Sequence, residues 1–179
     1  MKTAVVRRNR AGSAMLEFSI FGIPIIFVLI SVFELSRGMW VYDTLAYATK
    51  DTARFAAVHG QLCVGSSAAC ALTIAQVAGR LQYAGVGLLP SQLNATFQTT
   101  TQTIACNPLQ SCLANTACFP TAADCSATLD SGAIQGQPVT VSAVYPFQSA
   151  ISMFWPGTGK GMVFGTFNLP AKAQERIQF

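Results

Sequence analysis

FSIFGIPIIFVLISVF, residues 18–33, holds no charged side chain, and ELSRGMWVYDTLAYATKDTARFAAV, residues 34–58, follows it without a proline. The reading of this stretch decides the fold. As helix, the first run rises about 24 Å, short of a hydrocarbon core of about 30 Å. Ala14, Met15 and Leu16 on one side and Leu35 on the other extend it to a marginal span, about 14–35. Nothing in the second run stops a helix before Gly60, a good residue for a helix C-terminus. Leu35, Met39, Tyr42, Ala46, Thr49, Ala53 and Ala56 recur at spacings of three and four, which predicts one packing stripe with small residues on it. That stripe suits packing on the chain's own domain and packing on a neighbouring subunit, and the two are compatible. The expectation is one helix from about Ser13 to Val58, near 70 Å long. Pro24 removes one helical hydrogen bond and predicts a bend inside the membrane.

Charge supports a membrane reading. The net charge is +4, but Lys2, Arg7, Arg8 and Arg10 supply four positive charges with no acid among them. Without those four, the chain carries seven basic and seven acidic residues. A nucleic-acid binder spreads Lys and Arg over a face of its folded domain, so no nucleic-acid partner is expected. Here the charge flanks an apolar run, which predicts a cytoplasmic N-terminus and an external remainder. Only 10% of residues are charged, because the tail is rich in uncharged Ser, Thr, Ala, Gln and Gly.

All six cysteines follow the apolar block: Cys63, Cys70, Cys106, Cys112, Cys118 and Cys125. Their number is even, their gaps are long, and the chain has one histidine. That argues against zinc and for three disulfides in an oxidising compartment, with six buried thiols as the alternative. Six cysteines allow 15 pairings, so connectivity stays open.

Three readings of the N-terminus compete. A cleaved signal peptide lacks a small-x-small site in SVFELSRGMW, and Glu17 interrupts its apolar core. A plain signal anchor gives Glu17 no role. The third reading rests on particular residues. Gly12 is followed by the Glu17–Phe18 pair, an apolar run containing Pro24, the exit Phe33-Glu34-Leu35 with Arg37, and Thr49-Lys50-Asp51-Thr52-Ala53-Arg54-Phe55-Ala56-Ala57. Over about residues 8–60 this resembles the N-terminal region of TadE-like proteins. These are minor pilin-like proteins, or pseudopilins, of the tight-adherence (Tad, or Flp) pilus, a type IV pilus related to type II secretion. TadF- and TadG-like relatives share the same beginning, although this chain lacks room for the adhesin-like domain of a TadG-like protein.

The resemblance implies cutting between Gly12 and Ser13 by a prepilin peptidase at the cytoplasmic face. Residues 1–12 are then a leader, 13–60 the long helix and 61–179 an extracytoplasmic domain. Glu17 becomes the fifth mature residue and Phe18 the sixth, where the family usually has Tyr. A neighbour's Glu17 carboxylate can pair with the new Ser13 ammonium. That makes two otherwise costly buried charges tolerable and sets one axial register. The alternative leaves Glu17 among lipid headgroups. Implied partners are the peptidase, the major Flp pilin, TadF- and TadG-like subunits, the inner-membrane assembly platform and lipid. The implied location is the bacterial inner membrane, single pass, with a periplasmic C-terminal domain and passage to the pilus tip after assembly.

The outer part reads as a small α+β domain, giving a type IV pilin-like fold class overall. QLCVGSSAAC suggests a loop that a Cys63–Cys70 bridge can close. Ile74, Val77, Ala78 and Leu81 predict a short amphipathic helix over about 69–83. Leu93 to Ile104, with Leu93, Ala95 and Phe97 alternating, predicts a strand. Cys106 to Cys125 reads as a loop that needs cross-links. Gln137 to Tyr145 alternates most clearly, and Met162 to Leu169 predicts its partner across WPGTGKG. Three or four antiparallel strands should pack on the long helix.

No enzyme, cofactor or metal is expected. GTGKG, residues 157–161, lacks the preceding glycine and the following Ser or Thr of a phosphate loop. His59 suits a helix end. Asn94-Ala95-Thr96 reads as part of a strand. Pilus assembly and attachment is the leading function. An uncleaved membrane-anchored protein whose loops bind an external ligand is the alternative, and an envelope-acting enzyme is a weaker third.

Overall fold

The computed structural model describes residues 11–59, 72–120, 137–149 and 166–177. Helix α1 runs from Ala11 to His59. Its 49 residues correspond to about 73 Å. The helix is continuous through Pro24. Within and beside the apolar run, hydroxyls are satisfied by the helix itself. Ser19 donates to the Met15 carbonyl (3.0 Å), Ser31 to Phe27 (2.8 Å) and Ser36 to Val32 (2.8 Å). This matters in hydrocarbon, where no water replaces a missing partner.

The C-terminal half of α1 is part of the outer domain's core. Val41, Leu45, Ala48, Ala53 and Ala56 are buried in it, joined by Thr49 and Thr52. The two threonine hydroxyls donate to the carbonyls of Ala46 (2.9 Å) and Ala48 (2.7 Å), so burial leaves neither unsatisfied. The expected stripe therefore needs correction. Thr49, Ala53 and Ala56 lie on the buried face, but Leu35, Met39 and Tyr42 are exposed. The buried line continues instead through Leu45, Val41 and Glu34. Apolar residues surround α1 between 35 and 47, so spacing alone did not identify the covered side.

Helix α2 spans Ile74–Ala84 and buries Ile74, Val77, Ala78 and Leu81. It starts five residues later than expected, because Thr73 caps it. The Gln76 N–H donates to Thr73 Oγ1 (3.3 Å), and the Thr73 N–H donates to Gln76 Oε1 (2.9 Å). Two further amides at this end are satisfied from outside the helix. Ile74 N–H donates to the Ala117 carbonyl and Ala75 N–H to that of Asn115, both at 2.9 Å.

The sheet contains β1 (Asn94–Gln98), β2 (Thr103–Cys106), β3 (Pro138–Gln148) and β4 (Thr166–Arg176). All neighbours are antiparallel, in the order β2-β1-β3-β4. The single strand expected over 93–104 is two strands joined by a tight turn. Thr99 N–H donates to the Gln102 carbonyl (2.8 Å), and Gln102 N–H donates to Thr99 Oγ1 (3.1 Å). The alternation Leu93, Ala95, Phe97 does point inward. Strands β3 and β4 form the expected antiparallel pair, from Pro138↔Arg176 to Gln148↔Thr166. Both extend further toward the C-terminus than expected, and the connection between them lies outside the described residues. Val139, Val141, Ala143 and Tyr145 face the core beside Glu175, Ala173, Ala171 and Leu169 of β4. Pro146 falls past the last β1 partner of β3, Asn94↔Val144, where the missing amide breaks no ladder with β1.

One bridge joins Cys106 to Cys112, with Cα atoms 5.6 Å apart, and closes a turn of 3-10 helix over Leu109–Cys112. Cys118 is also disulfide-bonded, to a cysteine outside the described residues. The expected Cys63–Cys70 bridge and Cys125 lie outside them too. Beside Cys118, Phe119 is buried against Phe97, with ring centroids 5.9 Å apart.

Candidate membrane and assembly interface

The N-terminal half of α1 projects away from the outer domain. Its best 18-residue window has mean hydropathy 2.4 and none of it is buried. Among the described residues this is one helix long and apolar enough to cross a membrane. Gly12 and Ser13 both lie in α1. Lys2, Arg7, Arg8 and Arg10 lie outside the described residues. Glu17 and Phe18 are on the exposed surface of the helix, Phe18 with 72% of its surface free. Gly22 lies against that ring: a Cβ there would sit 3.5 Å from the Phe18 side chain, in ordinary van der Waals contact. Ser13 and Glu17 are four residues apart, so they share one face of α1 about 6 Å apart along the axis. One helix alone therefore places the acid above its own residue 13.

Where the apolar run ends, the chain builds an ion pair into the junction with the domain. Glu34 is only 8% exposed, and Arg37 Nη2 lies 3.3 Å from its Oε2. The same Arg37 nitrogen donates to the carbonyl of Gln148 at the end of β3. The guanidinium also lies over the Phe147 ring, 4.7 Å from its centroid. The i,i+3 charges were visible in sequence, but their tertiary acceptor was not.

The motif Thr49–Ala57 is accounted for by packing. Thr49, Thr52, Ala53, Ala56 and Ala57 are buried, and the charged residues between them reach the domain's edges. Asp51 takes two hydrogen bonds from Arg80 of α2, at 2.7 and 3.2 Å, a bidentate geometry that fixes orientation. That hydrogen bonding, with the charge of Asp51, raises the Arg80 pKa above its usual value. Arg80 also lies near the rings of Phe55 (5.6 Å) and Tyr83 (5.9 Å). Arg54 reaches Glu175 of β4 at 3.4 Å in a more exposed pair. Between α1 and β4 runs a groove of about 400 Å³, lined by Tyr42, Ala46, Lys50, Ala171, Ala173 and Glu175. Tyr42 and Ala46, expected on the packing stripe, line this groove instead.

The fold is α+β: a long helix, bare and apolar at one end, is buried at the other against a small antiparallel sheet. Residues 12–54 match the model of one family, described as TadE-like protein. The matched segment begins at Gly12 and ends at Arg54, so it lies wholly within α1. Over that segment the chain is similar to TadE-like proteins. No curated protein matches the chain, and no solved structure does.

Proposed function

We propose that the chain is a minor pilin or pseudopilin that takes part in assembling or priming a Tad pilus for surface attachment. The observation that carries this is the family match opening at Gly12, on a helix whose apolar half none of the described residues buries. Residues 1–12 act as a leader removed by a prepilin peptidase between Gly12 and Ser13. Residues 13–60 form the membrane and assembly helix, and 61–179 the periplasmic domain. The basic flank Lys2, Arg7, Arg8 and Arg10 holds the leader in the cytoplasm.

Glu17 then works on a neighbour. Its carboxylate meets the Ser13 ammonium of an adjacent helix, and the pair forms at one stagger only. The partners are other Tad pilin-like subunits and the inner-membrane platform that stacks them. N-terminal sequencing of the mature protein tests the reading: it should begin at Ser13. An intact Met1 in cells that make the pilus would remove the prepilin role and leave a membrane-anchored binding protein.

A further inference from the structure

Outside α1, the described residues expose four large apolar or aromatic side chains: Tyr83, Val86, Leu89 and Phe167. Tyr83 lies near Arg80, at 5.9 Å. The other three gather at one end of the domain, as the contacts with α1 establish. Helix α2 descends antiparallel to α1, since Arg80 meets Asp51 while Gly87, seven residues on, meets Trp40. Strand β3 descends as well, ending with Phe147 against Arg37 and Gly38. Phe167 is paired with Phe147 in the β3–β4 register.

These contacts lie just past the apolar run. If the span ends near Leu35, Gly38 stands about 5 Å and Trp40 about 8 Å beyond it along the axis. The polar zone on each side of a bilayer is about 5–7 Å deep. At about 100° per residue, Gly38 and Trp40 point about 160° apart, so the two groups flank α1 from different sides. The turn bearing Val86 and Leu89 is well built. Gly87 has φ +85°, and a Cβ there would lie 2.8 Å from the Trp40 ring. Leu88 is buried, and its N–H donates to the Gly85 carbonyl at 3.0 Å. Val86 (66% exposed) and Leu89 (53%) are thus held outward on a fixed turn, and Phe167 (56%) on a paired strand.

We infer that Val86, Leu89 and Phe167 form a collar that enters the lipid interface around the emerging helix, with Trp40 as its interfacial aromatic. The occupant is a bilayer because the patch is continuous with the membrane helix: its Phe167 flank begins within one headgroup depth of the helix's end, and its Val86–Leu89 flank reaches the outer edge of that zone. Among the described residues, Arg37 at this depth is held by Glu34 and the Gln148 carbonyl, so the collar carries no unpaired Arg37 into the interface. Lipid contact on two flanks fixes the tilt of the domain in the membrane. This inference rests on α1 being the membrane anchor.

The test uses the full-length chain in vesicles of phosphatidylcholine and phosphatidylglycerol with brominated acyl chains. Val86→Trp and Phe167→Trp are each placed in a Trp155→Phe parent, whose Trp40 signal is subtracted. Gln98→Trp, exposed on β1 at the far end of the domain, is the control. At 86 and 167 the added emission should be blue-shifted and mostly lost to bromine, while that at 98 should be unaffected. Water-like, unquenched emission at both collar sites would overturn the inference. So would equal quenching at 98, which means the domain adheres without orientation. Carbonate extraction of the same vesicles reports insertion of α1 separately, so failure of the collar and failure of the anchor are distinguishable.

Discussion

Glu17 is the residue at which cost and role are most closely tied. A carboxylate within an apolar helix is expensive, and such groups are usually retained for a function. Glu17→Ala should leave processing after Gly12 and membrane insertion intact while abolishing fibre formation. Immunoblotting for the mature form and electron microscopy for pili check the two halves. Normal piliation would take Glu17 out of assembly. At this scale the sequence was informative only where partners are local. Glu34 and Arg37 are three residues apart and announce each other. Asp51 and Arg80 are 29 apart in sequence, and nothing in either neighbourhood indicates that they meet.

Among the elements, α1 was legible almost end to end, because no proline lies between Pro24 and Gly60 and the single glycine there, Gly38, does not stop a helix. Its covered side was not, since Leu35, Met39, Trp40, Val41 and Tyr42 offer apolar surface in every direction. The β1–β2 turn was missed for a chemical reason. Thr99–Gln102 contains no Gly, Pro, Asn or Asp, and the Thr99 hydroxyl performs the turn-closing role those residues usually signal. The start of α2 was signalled by Thr73 and Gln76, a capping box lying within a longer apolar pattern. Removing that cap with Thr73→Ala should destabilise the outer domain by about 0.5–2 kcal/mol. Urea unfolding in detergent, followed by circular dichroism, measures it; Thr73→Asn should recover most of the loss.

For the whole molecule, the layer arrangement followed from pattern: one helix, one antiparallel sheet with an inward face, and cross-links where periodicity fades. The strand order did not, because β2-β1-β3-β4 depends on long-range pairing of β1 with β3. The Cys106–Cys112 bridge closes a short loop, so opening it returns little conformational entropy to the unfolded chain. Cys106→Ser with Cys112→Ser should cost about 2 kcal/mol, read as a lowered urea midpoint. Non-reducing mass spectrometry of the unmodified chain should find every cysteine paired, whereas free thiols throughout would place the domain in a reducing compartment.

Ala48, Thr49, Thr52, Ala53 and Ala56 are buried in the outer domain on the same unbroken helix that carries the apolar run. No described linker separates the two, so the molecule has no swivel at that junction. When α1 rolls about its long axis, the sheet turns by the same angle. A neighbour gripping only the apolar half would thereby choose the compass bearing of a surface tens of ångströms away. Torque applied at the base of an assembly reaches its outer face without slack.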